Sequence, residues 1–397
     1  MVFGVYVHIP YCLQRCTYCD FATYVKGTVL PPEEYVSILE EEIERRQNYF
    51  PKMALDTLYF GGGTPSLLTP DLLARVIDKL ATCGFPLRDD SEVTLEINPA
   101  TLTKATIDEY LRLGFNRFSV GAQTFNDALL KSVHRQHSSE DTLQTLRLLQ
   151  ERNLNYSFDL LFALPNQTLA ELEFDLQRVG EFLPPHISPY CLTVPEGHPL
   201  AKLRLTENVQ VEMFELIHGE LQRHGYRAYE ISNYARPGFE SRHNQLYWLD
   251  HSYWGLGLSS HSYAHNSITN SGAWGTRFWN PNHIQVYTEQ IKALNSLELG
   301  LNHHSAEQKE ILTTAQSLTD YCMTALRTQE GLDARSLRSK FSDSELDLVT
   351  SRLRLLESRG LVYSKSSGGD WQMALSRPGV LLSNQVFAEL TFLANEL

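Results

Sequence analysis

The stretch VYVHIPYCLQRCTYCDF, residues 5–21, joins a strand pattern to a loop that carries three cysteines. Pro10 ends the strand because proline supplies no amide donor, so Cys12, Cys16 and Cys19 lie on a loop. Such a loop can turn three thiolates toward one face of an iron–sulfur cubane. Three protein ligands leave one iron with an open position. The spacing therefore predicts a [4Fe–4S] cluster that can bind a further molecule.

A zinc site is the alternative for this loop, with His8 or Asp20 as the fourth ligand. Zinc ligands usually come in pairs from two separated segments, and the next cysteine after the loop is Cys83. Three of the six cysteines of the chain fall within these eight positions, which argues against chance. The cluster is the favoured interpretation.

Composition limits the class of protein. The chain has 397 residues, a net charge of −13 and 42% hydrophobic residues, which indicates a large folded domain with a smaller one. The acidic balance argues against a nucleic-acid-binding protein. The first residues lack a basic segment followed by an apolar run, and no stretch is apolar for long enough to span a bilayer. We therefore expect a cytoplasmic protein.

Strand patterns alternate with amphipathic helix patterns over the first 235 residues. The predicted strands are Val5–Ile9, Thr57–Phe60, Val93–Ile97, Arg117–Val120, Tyr156–Phe162 and Ile187–Thr193. The predicted helices are Glu33–Asn48, Pro70–Thr82, Lys104–Leu113, Glu140–Glu151, Leu169–Glu181 and Asn208–Arg223. Repeated βα units predict an α/β fold with parallel strands. Six units fit an open doubly wound sheet or a partial (β/α)6 barrel, and periodicity does not separate the two.

The positions of the polar residues favour the partial, TIM-like barrel. The cysteine loop follows the first strand, the run Gly61–Thr64 follows the second, Glu96 ends the third and Gln123 follows the fourth, with Asp159 in the fifth. Residues from successive strand ends meet at the C-terminal face of a barrel. An open sheet gathers them mainly at one switch point.

Three segments are predicted: a barrel at 1–235, an aromatic and histidine-rich segment at 236–300, and a helical domain at 301–397. The last segment combines a helix near Ser351–Arg359, a β-hairpin and a Ser-Ser-Gly-Gly turn at 366–369, which is typical of a winged helix. Its acidic and basic residues nearly balance. We therefore expect this small domain to pack on the barrel rather than to bind nucleic acid.

CLQRCTYCDF followed by GGGTPS resembles the radical S-adenosylmethionine (SAM) superfamily. Within it, LYFGGGTPSLL, LEINP, GFNRFSVGAQTF and YEISNYARPG are similar to the branch that contains oxygen-independent coproporphyrinogen III dehydrogenases and the heme chaperone HemW family. The resemblance extends over nearly the whole chain. It implies a radical SAM barrel in which SAM binds the open iron of the cluster.

The resemblance also implies a set of SAM ligands. Arg135 suits the SAM carboxylate, and Glu96 and Asp159 suit its ammonium or ribose hydroxyls. The alternative for each of these three is a polar residue of the barrel rim that binds no ligand. The implied ligands are Tyr6, Tyr18, Gly62, Gly63, Thr64, Glu96, Gln123, Arg135 and Asp159. Tyr6 also fits a core position.

Two features separate the branch members. The dehydrogenases carry a further cysteine where this chain has Phe21. The segment HNQLYW, residues 243–248, is similar to a chaperone motif whose histidine is implicated in heme binding, which implies a heme site at His243, Asn244, Tyr247 and Trp248. The alternative is a hydrogen-bonded histidine in an aromatic loop. Other histidines of the same stretch are candidate ligands: His251, His261 and His265.

The sequence therefore favours a heme chaperone that binds heme, a [4Fe–4S] cluster and SAM, and transfers heme to an acceptor protein. A coproporphyrinogen III dehydrogenase is the alternative, and a zinc-binding scaffold is a distant third. Enzymatic activity stays open, although we expect no dehydrogenase activity. The acceptor could be a membrane respiratory enzyme, reached by peripheral contact, and a homodimer stays open.

Three positions depart from the family pattern. Ala163 and the pair Ser259 and Ser262 stand where relatives carry glycine. If those glycines supply positive φ or a close backbone approach, the local structure must accommodate a side chain here.

Overall fold

The computed structural model describes residues 2–265, 274–294, 300–301, 304–365 and 370–396. Its strands are β1 (Phe3–Ile9), β2 (Tyr11–Cys12), β3 (Tyr24–Val25), β4 (Leu55–Gly62), β5 (Leu87–Ile97), β6 (Arg117–Gln123), β7 (Asn155–Phe162), β8 (His186–Cys191), β9 (Arg227–Ala228), β10 (Tyr234–Ala235), β11 (Ser252–Leu256), β12 (His261–His265), β13 (Gly275–Trp279), β14 (Lys309–Ile311), β15 (Leu332–Asp333), β16 (Val362–Ser364) and β17 (Gln372–Leu375).

Its helices are α1 (Pro32–Arg46), α2 (Pro70–Thr82), α3 (Lys104–Arg112), α4 (Asp127–Ser132), α5 (Ser139–Glu151), α6 (Leu169–Phe182), α7 (Glu207–Arg223), α8 (Arg242–Trp248), α9 (Ile284–Ala293), α10 (Thr314–Arg327), α11 (Ala334–Lys340), α12 (Asp343–Ser358), α13 (Arg377–Leu381) and α14 (Ser383–Glu389). Short 3-10 turns lie at Pro65–Leu67, Pro199–Leu203 and Ala306–Gln308. Of the helices in the described part of the chain, none has the length and apolar character needed to cross a membrane.

One large sheet organises the protein. Its strand order is β14-β13-β12-β11-β1-β4-β5-β6-β7-β8-β10-β9. The six strands from β1 to β8 in this order are parallel neighbours. The spatial order of these strands is the same as their order in the sequence. A doubly wound sheet would reverse its strand order at one point, so this order is that of a barrel. The predicted partial (β/α)6 arrangement is confirmed, and each predicted strand and helix of the first 235 residues is present.

The aromatic segment extends this sheet beside β1. Strand β11 pairs with β1 in parallel, from Phe3 opposite Ser252 to Val7 opposite Leu256. Strands β12, β13 and β14 then add in antiparallel pairs. The boundaries predicted at 235 and 300 stay predictions, since strands from all three predicted segments share the sheet.

A buried polar network fixes the extension against α1. The Arg46 guanidinium donates to Glu42 (2.7 Å) and to the Asn280 side chain (2.6 Å). The other oxygen of Glu42 accepts from the amide of Gly257 (2.8 Å) and from the hydroxyl of Tyr287 (2.7 Å). These bonds tie α1 to the extension through Gly257, Asn280 and Tyr287, while the Nε and Nη2 atoms of Arg46 have no hydrogen-bond partner among the described residues.

Two of the three residues that stand where relatives carry glycine have a backbone conformation that favours glycine. Ala163 has φ of 59° and Ser259 has φ of 56°, in the left-handed region that favours glycine. Ser262 instead has a role for its side chain, because its buried hydroxyl accepts from the amide of Gly255 (2.9 Å). The loop therefore retains the backbone turn at Ser259 in spite of the added side chain.

The C-terminal residues form a second hydrophobic cluster, which runs from Leu318 to Phe392. A three-stranded sheet in the order β15-β17-β16 packs with α10, α11 and α12. The predicted hairpin strands are present as β16 and β17, while the predicted turn at 366–369 lies outside the described residues. Two ion pairs join this part to the rest of the protein: Arg377 pairs with Glu215 of α7 (2.8 Å), and Lys340 pairs with Asp250, which lies just before β11 (2.9 Å).

Candidate functional site

The cysteine loop leaves the end of β1 and is held from two sides. The amide of Thr17 donates to the carbonyl of Val133 (3.3 Å), and the Nε2 atom of His198 is hydrogen bonded to the Thr17 carbonyl (2.8 Å). Within the loop, the amide of Cys19 donates to the carbonyl of Cys16 (3.2 Å). These contacts place the loop over the C-terminal face of the barrel.

The three thiols of the loop are free and half-buried. Burial raises the pKa of Cys12 and of Cys19, which disfavours bare thiolates. The Arg135 guanidinium approaches the sulfur of Cys16 (3.6 Å), which brings a positive charge to this donor set. Three adjacent soft thiol ligands beside a cation suit an iron–sulfur cluster, since metal binding deprotonates the thiols that burial keeps neutral.

The zinc alternative finds little support. Both ring nitrogens of His8 are engaged, Nδ1 with the hydroxyl of Tyr6 (3.1 Å) and Nε2 with the carbonyl of Ala22 (3.0 Å). The ring of His8 is therefore not free to act as the fourth ligand of a zinc site.

The glycine run is locked to the end of β1. The amide of Gly63 donates to Ile9 (2.8 Å), and the amide of Thr64 donates to the Tyr11 carbonyl (2.7 Å). Gly62 has φ of 107°, and a Cβ atom there would lie 2.5 Å from the ring of His8. A Cβ atom at Gly63 would lie 2.5 Å from the Tyr11 carbonyl oxygen. Only glycine permits this approach, so the run forms a backbone edge beside the cysteine loop.

A cavity of about 490 Å³ opens at this face, and we call it the barrel-mouth cavity. It brings together nearly all the residues predicted for the cluster and SAM. They are Cys12, Cys16, Cys19, Tyr18, Gly62, Gly63, Thr64, Glu96, Gln123, Arg135 and Asp159. Tyr6 is not on its lining, because its hydroxyl turns to His8.

Two carboxyl groups face each other across this cavity. Burial raises the pKa of Glu96 to about 7, with a smaller contribution from the charge of Asp159. Burial also raises the pKa of Asp159 to about 6, and this rise is partly offset by the hydrogen bond from Ser119 and the charge of Arg117. Glu96 accepts from the hydroxyl of Tyr59 (2.7 Å) and the amide of Gly62 (3.0 Å), and Asp159 accepts from Ser119 (3.2 Å). Such a pair favours a positively charged ligand, which would keep both carboxylates ionised.

Arg135 is one of two arginines that line the cavity, together with Arg117. Its guanidinium donates to the Asn98 side chain (3.1 Å) and to the Gly121 carbonyl, while its buried Nε has no partner among the described residues. A buried guanidinium that lacks a carboxylate is arranged to receive an anion.

Several further residues that line the cavity were not predicted from the sequence. Three strands each contribute two polar residues that lie two positions apart and so share one face. The pairs are Arg117 and Ser119 on β6, Ser157 and Asp159 on β7, and His186 and Ser188 on β8. Tyr59 and Tyr190 also line it. Polar residues at every second position of an otherwise buried parallel strand were the signal that could have identified them.

The motif of residues 243–248 forms α8, and its histidine is enclosed. His243 is 1% exposed. Its Nδ1 is hydrogen bonded to the Thr57 hydroxyl (2.7 Å), its Nε2 to the Tyr247 hydroxyl (2.9 Å), and Tyr59 stacks on the ring. Burial lowers the pKa of His243 to about 3, so the ring is neutral. Heme ligation by His243 stays a prediction; in this conformation both ring nitrogens are already bonded.

The structure separates the four residues predicted for heme. Asn244 lines the barrel-mouth cavity. Tyr247 and Trp248 line a second cavity of about 880 Å³, between β11–β13 and the helices α10 and α11, which we call the aromatic cleft. Of the alternative ligands, His261 and His265 also line the aromatic cleft, whereas His251 does not.

Comparisons with known proteins agree with this geometry. The sequence model of the radical SAM superfamily matches residues 6–179. The chain is 31% identical to the heme chaperone HemW of Bacillus subtilis (strain 168) over 392 residues, which cover 97% of this chain and 98% of that protein. It is 35% identical to the heme chaperone HemW of Escherichia coli (strain K12) over 263 residues, 65% of this chain and 69% of that protein.

Among solved structures, the coproporphyrinogen III oxidase HemN from Escherichia coli, described as a radical SAM enzyme, superposes with a TM-score of 0.81. The match covers 98% of this chain and 90% of that one, at 22% sequence identity. At that identity the likeness shows the shared fold alone.

Proposed function

The chain belongs to the radical SAM family of the heme chaperone HemW, and from that premise we propose that it binds heme and transfers it to an acceptor protein. The observation that carries the proposal is the likeness to the Bacillus subtilis chaperone, which extends over 98% of that protein. The family carries a [4Fe–4S] cluster and SAM.

We propose Cys12, Cys16 and Cys19 as the cluster ligands and the residues of the barrel-mouth cavity as the SAM ligands. When bound, the cluster supplies an electron that can cleave the SAM sulfonium. The three free thiols, the partnerless Nε of Arg135 and the Glu96–Asp159 pair support this assignment. Arg135 pairs with the SAM carboxylate, and the two carboxyl groups hold its ammonium or ribose hydroxyls. Tyr18, Gly62, Gly63, Thr64 and Gln123 complete the lining, and Tyr6 supports it from behind through His8.

We further propose that α8 contributes one wall of the heme site. Tyr247 and Trp248 supply aromatic surface, while His243 and Asn244 fix the helix from the barrel side. The hydrogen bond between His243 and Tyr247 supports this division. The C-terminal segment, from about residue 301, is then the second wall.

The alternative, oxidative decarboxylation of coproporphyrinogen III, is not favoured. Its strongest support is the fold shared with HemN. The side chain of Phe21 is 62% exposed at the rim of the barrel-mouth cavity, where a dehydrogenase of this branch carries a thiol.

The acceptor, a peripheral membrane contact and a homodimer are further parts of the proposal. An acceptor must take heme from an open site, and the aromatic cleft lies on the side of the sheet extension, away from the cysteine loop. An acceptor can thus approach without displacing the cluster loop.

The test is anaerobic reconstitution with iron and sulfide, followed by two parallel assays. One measures binding of hemin by absorbance; the other measures products from coproporphyrinogen III with SAM and a reductant. Stoichiometric heme binding without decarboxylated product is the expected result. Product formation without heme retention would identify a dehydrogenase and refute the proposal.

A further inference from the structure

The floor of the aromatic cleft is one face of the antiparallel extension. Side chains alternate along β12, so that residues 261, 263 and 265 turn toward the cleft while Ser262 and Ala264 are buried. Tyr253, Tyr263 and Arg277 stand opposite one another on β11, β12 and β13. A cross-strand row of this kind keeps its side chains parallel and a few ångströms apart. The floor is therefore flat and largely aromatic.

Two walls rise from this floor. One is the end of α8, where Tyr247 packs edge-on against Tyr253 with ring centres 4.6 Å apart. The other includes Trp274, which stacks on Phe341 with centres 4.7 Å apart and planes 15° apart. Offset-stacked and edge-on aromatic faces favour a large planar ligand. The cleft volume of about 880 Å³ lies in the upper range of small-molecule sites.

One histidine on the floor has no competing bond. His261 is exposed, and among the described residues its ring makes no hydrogen bond; its neighbour is the indole of Trp279, stacked at 5.8 Å. His265 differs, because it faces Asp250 at 3.5 Å. Burial and the charge of Arg277 lower the pKa of His261, so its imidazole is neutral near pH 7 and has a lone pair to donate.

Polar groups of the cleft complete the match to heme. Arg277 and Lys340 are half-exposed cations at its edges, paired with Asp320 and Asp250. A propionate can share such a cation. In addition, the buried indole Nε1 of Trp248 has no hydrogen-bond partner in the part of the chain that the structure describes, nor has the hydroxyl of Ser317. Unbonded buried donors beside a cavity indicate a missing polar partner.

We propose that heme binds in the aromatic cleft with the imidazole of His261 as an axial ligand of its iron. The porphyrin lies between the floor and the Trp274–Phe341 stack, and its propionates reach Arg277 and Lys340. The step is coordination alone: the imidazole lone pair occupies an open iron position, and no electron changes hands. The inference rests on the proposed function, and it deepens that function by assigning the heme site to residues outside the 243–248 motif. His243 then positions Tyr247 and does not touch the iron.

The experiment titrates hemin into the full-length, cluster-reconstituted protein and follows the Soret band. His261→Ala should move the Soret maximum and weaken hemin binding about tenfold or more. Added imidazole should restore the wild-type spectrum in this variant, because it replaces the lost ligand. The matched control is His224→Ala, since His224 is an exposed histidine outside the cleft.

A second variant tests the cleft without touching the ligand. Ser317→Trp adds an indole on the α10 face that lines the cavity, and it should block hemin while His261 is intact. Iron content and the thermal unfolding curve of each variant report whether the protein is folded. Wild-type spectra and affinity in both folded variants would overturn the cleft assignment and leave heme chaperoning in place. A wild-type protein that binds no hemin would overturn the proposed function along with the cleft.

Discussion

The barrel-mouth cavity and the aromatic cleft are built from the same sheet by opposite means. The barrel-mouth cavity collects side chains from the ends of consecutive parallel strands, and its lining is polar and charged. The aromatic cleft collects side chains from the face of antiparallel strands and from helices of the C-terminal part, and its lining is flat and aromatic. Parallel strands must be buried on both faces, so their functional groups concentrate at strand ends. An antiparallel extension leaves a whole face free to bind.

The two cavities also differ in the chemical groups that they offer to a ligand. The barrel-mouth cavity offers thiols, two carboxyl groups and two guanidinium groups, which suit an iron–sulfur cluster and a small zwitterion. The aromatic cleft offers imidazole and ring faces, which suit a porphyrin. His243 lies between them, stacked on Tyr59 of one and bonded to Tyr247 of the other. Variants of the two cavities should therefore affect cluster binding and heme binding separately.

The largest effect is expected from Cys16→Ala. Loss of one of three thiol ligands should abolish the cluster, with iron, sulfide and the brown absorption lost together. Hemin should still bind with a wild-type Soret band, because the cleft contains no part of the cysteine loop. Cys83→Ala is the control, since Cys83 is buried far from the loop in sequence and contributes to the core. Full retention of iron and sulfide in Cys16→Ala would contradict the ligand assignment, and loss of hemin binding would break the separation of the sites.

His243→Ala should destabilise the fold more than it alters the heme spectrum. Removing the ring leaves the Thr57 and Tyr247 hydroxyls without their partner and opens a space under Tyr59, so the free energy of unfolding should fall by about 2 to 4 kcal/mol. Denaturant unfolding measures this loss. The Soret maximum should stay in place while hemin affinity falls less than in His261→Ala. A displaced Soret maximum in a folded His243→Ala protein would make His243 the iron ligand after all.

SAM affinity should depend on pH through the carboxyl pair. Below about pH 6 both Glu96 and Asp159 hold protons in the free protein, and a cationic ligand must displace them; above about pH 7 both are already ionised. Because both carboxyl groups must lose their protons, affinity should rise about a hundredfold between pH 5.5 and 7.5 and then level off. Equilibrium dialysis of the reconstituted protein with SAM measures this profile. Glu96→Gln should flatten it, and an unchanged slope in that variant would assign the titration elsewhere.

The smallest effect is expected from Phe21→Cys. We expect the new thiol to produce no coproporphyrinogen III decarboxylation, because the substrate must also be positioned in the cavity. Product analysis by chromatography after incubation with SAM and reductant measures this, with the wild type as reference. Turnover in this variant would mean that one side chain at the rim separates a chaperone from a dehydrogenase.

The barrel could be predicted from the sequence because the signals for its strands and helices are local. Alternation and helical periodicity placed all six βα units, and β4, predicted at Thr57–Phe60, extends to Leu55–Gly62. Most residues of the barrel mouth were implied by the family resemblance, which rests on motifs at strand ends. Tyr59 and Arg117 were not predicted as site residues, because a polar residue within a strand pattern indicates a solvent-exposed position. Only the structure shows that these strands are enclosed on both faces.

The aromatic cleft could not be predicted as a unit. Its floor depends on the register that sets Tyr253 opposite Tyr263 and Tyr263 opposite Arg277, and its far wall comes from Phe341. Pattern analysis pointed to several histidines of the segment without choosing between them. Only the tertiary structure distinguishes a ring with both nitrogens bonded, His243, from one without hydrogen bonds among the described residues, His261.

The pairing of β1 with β11 has a consequence for synthesis of the chain. Phe3 meets Ser252, so the outer edge of the first strand stays unpaired until almost 250 later residues have been made. At roughly 5 to 20 residues per second, that wait is on the order of tens of seconds. An unpaired strand edge is open to pairing with other chains, and here it lies directly before the cysteine loop. The nascent protein must therefore protect its first strand before either cofactor site is complete.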